Sequence, residues 1–139
     1  MVRYLWTQYN STAINSTHRG RLEMILIIDD DPSFIRLLEM HFSGRHHIQP
    51  RQCFNVAEAL THVDEYTKAV FFDHMLSRGG DEGYELHRHL TGQGILLFST
   101  TTDDEIGQWY ERSGVIHIGK DPERVIQQIL LAEIALRQG

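Results

Sequence analysis

The stretch Met24–Leu38, MILIIDDDPSFIRLL, decides the fold class. It opens with the continuous apolar run Met24–Ile28, and such runs mark strands buried on both faces. The run stops abruptly at three aspartates. Asp31 before Pro32 reads as a helix start, with Asp31 as N-cap and Pro32 at the first helical position. Phe34, Ile35, Leu37, Leu38 and Phe42 then give the helix one apolar face. A buried strand followed at once by an amphipathic helix is the repeating half of a parallel α/β sheet.

The same alternation continues along the chain. Ile48–Cys53 is a weaker strand interrupted by Pro50, and proline is confined largely to edge strands. Asn55 with Glu58 three residues later resembles a capping box, opening a helix through Ala57, Leu60 and Val63. Ala69–Phe72 (AVFF) is a buried strand ending at Asp73. A loop containing Ser77–Gly80 leads to a helix over Glu82–Leu90. Ile95–Phe98 (ILLF) is a strand ending at Ser99 and Thr100, and Asp103 or Asp104 caps a helix through Trp109 and Tyr110. Val115–Ile118 is a short strand ending at Gly119-Lys120. A last helix runs from Pro122 to Leu136, with Val125, Ile126, Ile129, Leu130 and Ile134 expected to face inward. Residues 1–22 show no periodicity and are read as a flexible N-terminal extension before a domain over residues 23–139.

Such a chain predicts a doubly wound sandwich, and ligands of such sheets bind beyond the carboxyl ends of the strands. Four of those ends carry reactive groups: Asp29 and Asp30, then Asp73, then Ser99 with Thr100, then Lys120. The order 2-1-3-4-5 would put strand 2 at an edge, as Pro50 suggests, and would bring Asp29 and Asp30 beside Asp73. Clustered carboxylates repel unless a cation lies among them, and hard oxygen ligands suit Mg²⁺. Asp30 and Asp73 are the candidate ligands on this reading. Asp73 is then a candidate nucleophile, because aspartate can form an aspartyl-phosphate. The Lys120 ammonium would neutralise the transferring group, and the Ser99 hydroxyl would donate to it.

In this order and spacing, ILIIDDDPSFIRLLE, VFFDHMLS, ILLFST and GVIHIGK resemble the receiver domain of response regulators in two-component signalling, over about residues 24–138. The resemblance implies a flavodoxin-like (βα)5 fold and phosphorylation of Asp73 by a sensor histidine kinase or a histidine-phosphotransfer protein. It implies Asp30 as a direct Mg²⁺ ligand, Asp29 acting more through water, and the Met75 carbonyl as a third protein ligand. Ser99 takes the place of the hydroxyl that moves toward the phosphate, with Thr100 where a small residue is usual, and His117 takes that of the switch aromatic. Met75 and Thr101 should border the path of hydrolytic water, and Met75 orients water poorly, so slow self-dephosphorylation is expected. The face of the fourth helix, fifth strand and fifth helix is the expected partner or homodimer surface. The departures are Ser77 where proline is common, a loop before Gly83 about two residues longer than usual, and Asp121 between Lys120 and Pro122.

Composition narrows the alternatives. The 139 residues suit one domain, 41% are apolar, and the formal net charge of −6 argues against a general nucleic-acid or membrane binder. Cys53 is the single cysteine, which fits a reducing compartment, and without an apolar span or signal the expected location is cytoplasmic. The chain ends just after the last helix, so its expected output is a protein contact or onward phosphotransfer. On that reading it is not an enzyme beyond catalysing its own phosphorylation and dephosphorylation. Asp29-Asp30-Asp31-Pro32-Ser33 also fits the DxDx(T/S) opening of haloacid-dehalogenase-type phosphatases with Asp29 as nucleophile, but that reading leaves Asp73 without a role. A pseudo-receiver signalling without phosphate is the other alternative. The histidines, His46-His47 and His87-x-His89 included, lack ligand spacing and read as surface or cap residues.

Overall fold

A computed structural model describes residues 23–138; the expected extension over residues 1–22 lies outside the described residues. Among the described residues five strands alternate with five helices: β1 Met24–Asp29, α1 Pro32–His41, β2 Ile48–Gln52, α2 Val56–Leu60, β3 Thr67–Phe72, α3 Glu82–Leu90, β4 Leu96–Ser99, α4 Asp104–Arg112, β5 Ile116–His117 and α5 Pro122–Arg137. The strands form one parallel sheet in the order β2-β1-β3-β4-β5, with β2 at an edge. This is the flavodoxin-like order.

The pleat divides each apolar run between two cores. Ile25, Ile27, Ala69, Phe71, Phe98 and Ile116 face Phe34, Ile35 and Leu38 of α1 and Val125 and Ile129 of α5. Phe71 and Phe98 stack in parallel there, with ring centroids 4.0 Å apart. Leu26, Ile28, Val70, Phe72 and Leu97 face the other way, against α2, α3 and α4. Each buried Val, Leu, Ile or Phe side chain among them contributes about 1.5–3 kcal/mol before entropic costs. Covering on both sides is why Met24–Ile28 of β1 and Ala69–Phe72 of β3 carry no polar residue on either face.

The helix starts follow local chemistry. The Asp31 carboxylate accepts from the Ser33 and Phe34 N–H groups, Asp103 from Ile106 and Asp121 from Arg124. Asp121 thus stands between Lys120 and Pro122 as the N-cap of α5. Asn55 caps α2 through the Glu58 N–H, but α2 ends at Leu60 instead of reaching Val63.

Three expectations are corrected. Leu37 and Ile134 are exposed: in α1 the covered stripe is narrower than the apolar pattern suggests, and in α5 it is displaced away from Ile134, which lies on the far side from Val125. In α5 the buried positions are instead Val125, Ile129, Ala132, Glu133, Ala135 and Leu136, with Ile126 and Leu130 partly covered. His47 is buried, not a surface residue: its Nε2–H donates to the Glu133 carboxylate, which also pairs with Arg45 and Arg137. A buried glutamate needs such partners, and the local sequence around His47 gives no sign of a residue so distant in the chain. His87 is half-buried with its ring edge-on to Trp109.

Candidate functional site

Sheet register brings the reactive groups together. Ile28 pairs with Phe72, Phe72 with Ser99, and Ser99 with His117, so the four strands end at one level. Asp29 closes β1 and Asp73 follows β3, its N–H donating to the Ile28 carbonyl. Carboxylate oxygens of Asp29, Asp30 and Asp73 lie within 4.8 Å of one another. Asp29 is fully buried, and Asp30 and Asp73 are partly exposed.

Lys120 supplies the opposing charge. Gly119, at φ +79°, makes the turn that aims it back over the strand ends. Its Nζ donates to Asp29 Oδ1 at 3.0 Å and lies 3.7 Å from both Asp73 Oδ2 and Asp31 Oδ2. It also sits 5.2 Å from the centre of the Phe34 ring. Burial works against the lysine charge, but Asp29, Asp73 and Asp31 outweigh it and raise its pKa. Asp73 is pushed up to about 6, first by burial and then by the Asp29 charge, against the pull of Lys120. Burial likewise raises Asp29, partly offset by the Asp31 N–H and Lys120.

Among the described residues the site has one cation, Lys120, for several acids, and that imbalance bears on metal binding. Asp29 Oδ1 accepts from Asp31 N–H and Lys120, whereas Asp29 Oδ2 is buried with no hydrogen-bond partner among the described residues. A bare buried carboxylate oxygen costs stability unless something positive meets it. Three convergent carboxylates with an orphaned oxygen fit a hard divalent cation such as Mg²⁺.

Of the other expected residues, Ser99 is fully buried at the end of β4. Its Oγ accepts from the Thr101 N–H and lies 3.3 Å from His117 Nδ1. The His117 ring is turned inward beneath α4, where Gly107 leaves room: a Cβ there would come within 2.6 Å of His117 Cδ2. Thr100 is buried with its hydroxyl unpartnered among the described residues. The Met75 side chain is half-exposed on the loop after Asp73, and Thr101 is buried.

Sequence reasoning missed a second layer. His74 is buried and bridges Tyr110 and Asp81. Glu82 ties the loop after Asp73 by accepting from the Leu76 and Ser77 N–H groups and the Ser77 hydroxyl. Burial would raise its pKa, but these bonds, Ser77 foremost, hold its carboxyl below the ordinary value. The available signal was Ser77 in place of proline, which frees a backbone N–H.

Comparison with solved structures bears on the same fold. A CheY-like response regulator receiver domain from Methanospirillum hungatei superposes with TM-score 0.59 at 20% identity, covering 86% of this chain and 100% of that one. The fold is that of receiver domains. The HemR receiver domain from Leptospira biflexa, in its non-phosphorylated form, gives TM-score 0.59 at 14% identity over 81% of this chain and 93% of that one. No protein-family model and no curated protein sequence matches the chain. The receiver fold therefore rests on tertiary structure, and the acid cluster occupies the strand ends where ligands of this architecture bind.

Proposed function

We propose that the chain is a phosphoacceptor receiver of two-component phosphorelay signalling, taking a phosphoryl group from a phosphohistidine donor onto Asp73. The observation that carries the reading is the convergence of Asp29, Asp30, Asp73 and Lys120 at the strand ends of a receiver fold. Asp73 is the acid best placed to react. It is partly accessible, its Oδ1 is held by the His74 N–H, and its Oδ2 faces Lys120 without a hydrogen bond at normal distance. Asp29 is a poor nucleophile by contrast, being buried with Oδ1 committed to Lys120 and the Asp31 N–H. That disfavours the phosphatase reading.

Asp73 Oδ2 attacks phosphorus as the P–N bond of the donor breaks, and the electron pair of that bond returns to the imidazole nitrogen. Lys120 offsets the charge on the transferred group, and the Ser99 hydroxyl at the end of β4 is the proposed donor to it. Asp29, Asp30, Asp73 and the Met75 carbonyl are the groups that would hold Mg²⁺. When bound, the ion supplies charge neutralisation at the phosphoryl oxygens and relieves the repulsion that raises Asp73. The chain catalyses only its own phosphorylation and dephosphorylation, and its product is an altered protein surface. A sensor histidine kinase or histidine-phosphotransfer protein is the donor, and the face of α4, β5 and α5 is the candidate contact for a partner or second copy. Among the described residues no helix is long and apolar enough to cross a membrane, and the cytoplasm is the proposed location.

The test is phosphorylation by acetyl phosphate with and without Mg²⁺, on wild type and Asp73→Asn, with the modified residue mapped by mass spectrometry. Uptake that needs both Mg²⁺ and Asp73 supports the reading. Label on Asp29 would support the phosphatase, and no uptake at all the pseudo-receiver.

A further inference from the structure

We propose that His74 is a positioning residue for the acceptor: its ring, held between Tyr110 and Asp81, fixes the backbone N–H that binds Asp73 Oδ1 and so presents Oδ2 to the donor. The proposal rests on Asp73 being the acceptor and adds a role to a residue outside the acid cluster.

Every polar group of His74 is committed. Its N–H donates to Asp73 Oδ1 at 2.8 Å, and its carbonyl accepts from the Gly83 N–H at 2.7 Å. On the ring, Nε2 lies 2.8 Å from Asp81 Oδ1 and Nδ1 lies 2.8 Å from the Tyr110 hydroxyl. A carboxylate only accepts, so Nε2–H donates to Asp81 and Nδ1 accepts the Tyr110 proton. Tyr110 is suited to donating: burial first, then the Tyr84 phenol, raises its pKa and keeps the hydroxyl protonated.

Two further observations indicate that the clamp is built at a cost elsewhere. Asp81 occupies the N-cap position of α3 but makes no capping bond, its carboxylate going to His74 instead. An aspartate cap is ordinarily worth about 1 kcal/mol. Gly83 lets α3 start against His74, since a Cβ there would lie 2.7 Å from His74 Cα and 2.9 Å from its Nδ1. The Tyr84 ring packs edge-on against His74 with centroids 4.4 Å apart. A buried histidine with two ring partners would satisfy packing alone. Here the same residue also holds one oxygen of the candidate nucleophile, so ring and carboxylate share one rigid unit. Small losses of alignment at a reacting atom cost rate more than binding.

The experiment compares Tyr110→Phe, His74→Leu, their double variant and His74→Asn, which keeps a group near Nδ1. It measures the acetyl phosphate phosphorylation rate at saturating Mg²⁺, the Mg²⁺ Kd, and the His74-position amide proton by NMR. Tyr110→Phe, which does not touch Asp73, should slow phosphorylation by about threefold and His74→Leu by about tenfold. The Mg²⁺ Kd should stay within about twofold of wild type. The double variant should be no slower than His74→Leu, and His74→Asn should recover part of the rate. If Tyr110→Phe runs at the wild-type rate, or the two losses simply multiply, the proposal is overturned. Should His74→Leu fail to fold, Tyr110→Phe and His74→Asn still decide. If wild type takes up no phosphate, the acceptor reading fails on its own. The amide proton then judges the clamp: an upfield move in Tyr110→Phe sustains it, and an unchanged position overturns it.

Discussion

Lys120 Nζ is 3.0 Å from Asp29 Oδ1, closer than its 3.7 Å approach to Asp73 Oδ2, so the resting lysine belongs to the buried acid and not to the candidate acceptor. Lys120→Met should therefore affect stability as well as phosphorylation. It leaves a buried carboxylate unpaired and should cost about 2–4 kcal/mol at neutral pH by urea denaturation. The loss should shrink as pH falls, because burial already raises Asp29 and protonation removes its charge. An equal loss at every pH would count against this pairing.

Asp73→Asn should stabilise the protein in the absence of Mg²⁺. Burial and Asp29 push the native Asp73 pKa up to about 6, above that of an unfolded aspartate. The native state then binds more protons than the unfolded state between the two values, so stability falls as pH rises through that window. Above it, wild type carries the full penalty and the neutral amide carries none. The gain should be about 1–2 kcal/mol near pH 7.5, allowing for partial exposure and the lost Lys120 attraction. Mg²⁺ should narrow the gap by raising the melting temperature of wild type alone. A melting temperature lower than wild type in EDTA would contradict the repulsion described here.

Glu133 has the opposite sign. Burial would raise its pKa, but hydrogen bonds from His47 and Arg45, aided by Arg137, hold it below the ordinary value. A carboxyl depressed in the folded state contributes stability that is present above its unfolded pKa and lost as pH falls through the folded one. Glu133→Gln should cost about 1–3 kcal/mol at pH 7, and the two proteins should converge in acid. A pH-independent difference would show that the carboxylate charge is not what matters.

The backbone plan was open to inspection in the chain because buried strands must be apolar and their ends need not be. MILII and AVFF each stop at an aspartate, and Pro50 marked β2 as an edge before any contact was known. Asp29, Asp30, Asp73 and Lys120 each follow a strand in the sequence, and the gathering of the carboxylates favoured the order that the sheet shows. The linkage from His74 to Tyr110 and from His47 to Glu133 was not legible there, since each joins residues far apart through side chains whose type fits several environments. Exposed Leu37 and Ile134 show a third limit: helical periodicity tells roughly which side is apolar, not where the edges of the covered strip will fall.

Gly107→Ala should act on His117. The new Cβ would meet the His117 ring, within 2.6 Å of Cδ2, and the ring is the movable partner. Displacing it should break its approach to Ser99 and cost about 1–3 kcal/mol. In NMR spectra of the unphosphorylated protein, the Ser99 and His117 signals should move toward those of the beryllofluoride-treated wild type. Unchanged signals at both residues would mean that the helix, not the ring, gives way.

The two rims of the sheet carry a consequence for self-association. One rim is β2, where Pro50 sits opposite Ile27 and has no N–H to offer; the other is β5, two residues long. Neither presents the long row of free backbone donors and acceptors on which a stray strand could grow. Among the described residues, such edges disfavour edge-to-edge polymerisation of the sheet even when the protein is concentrated.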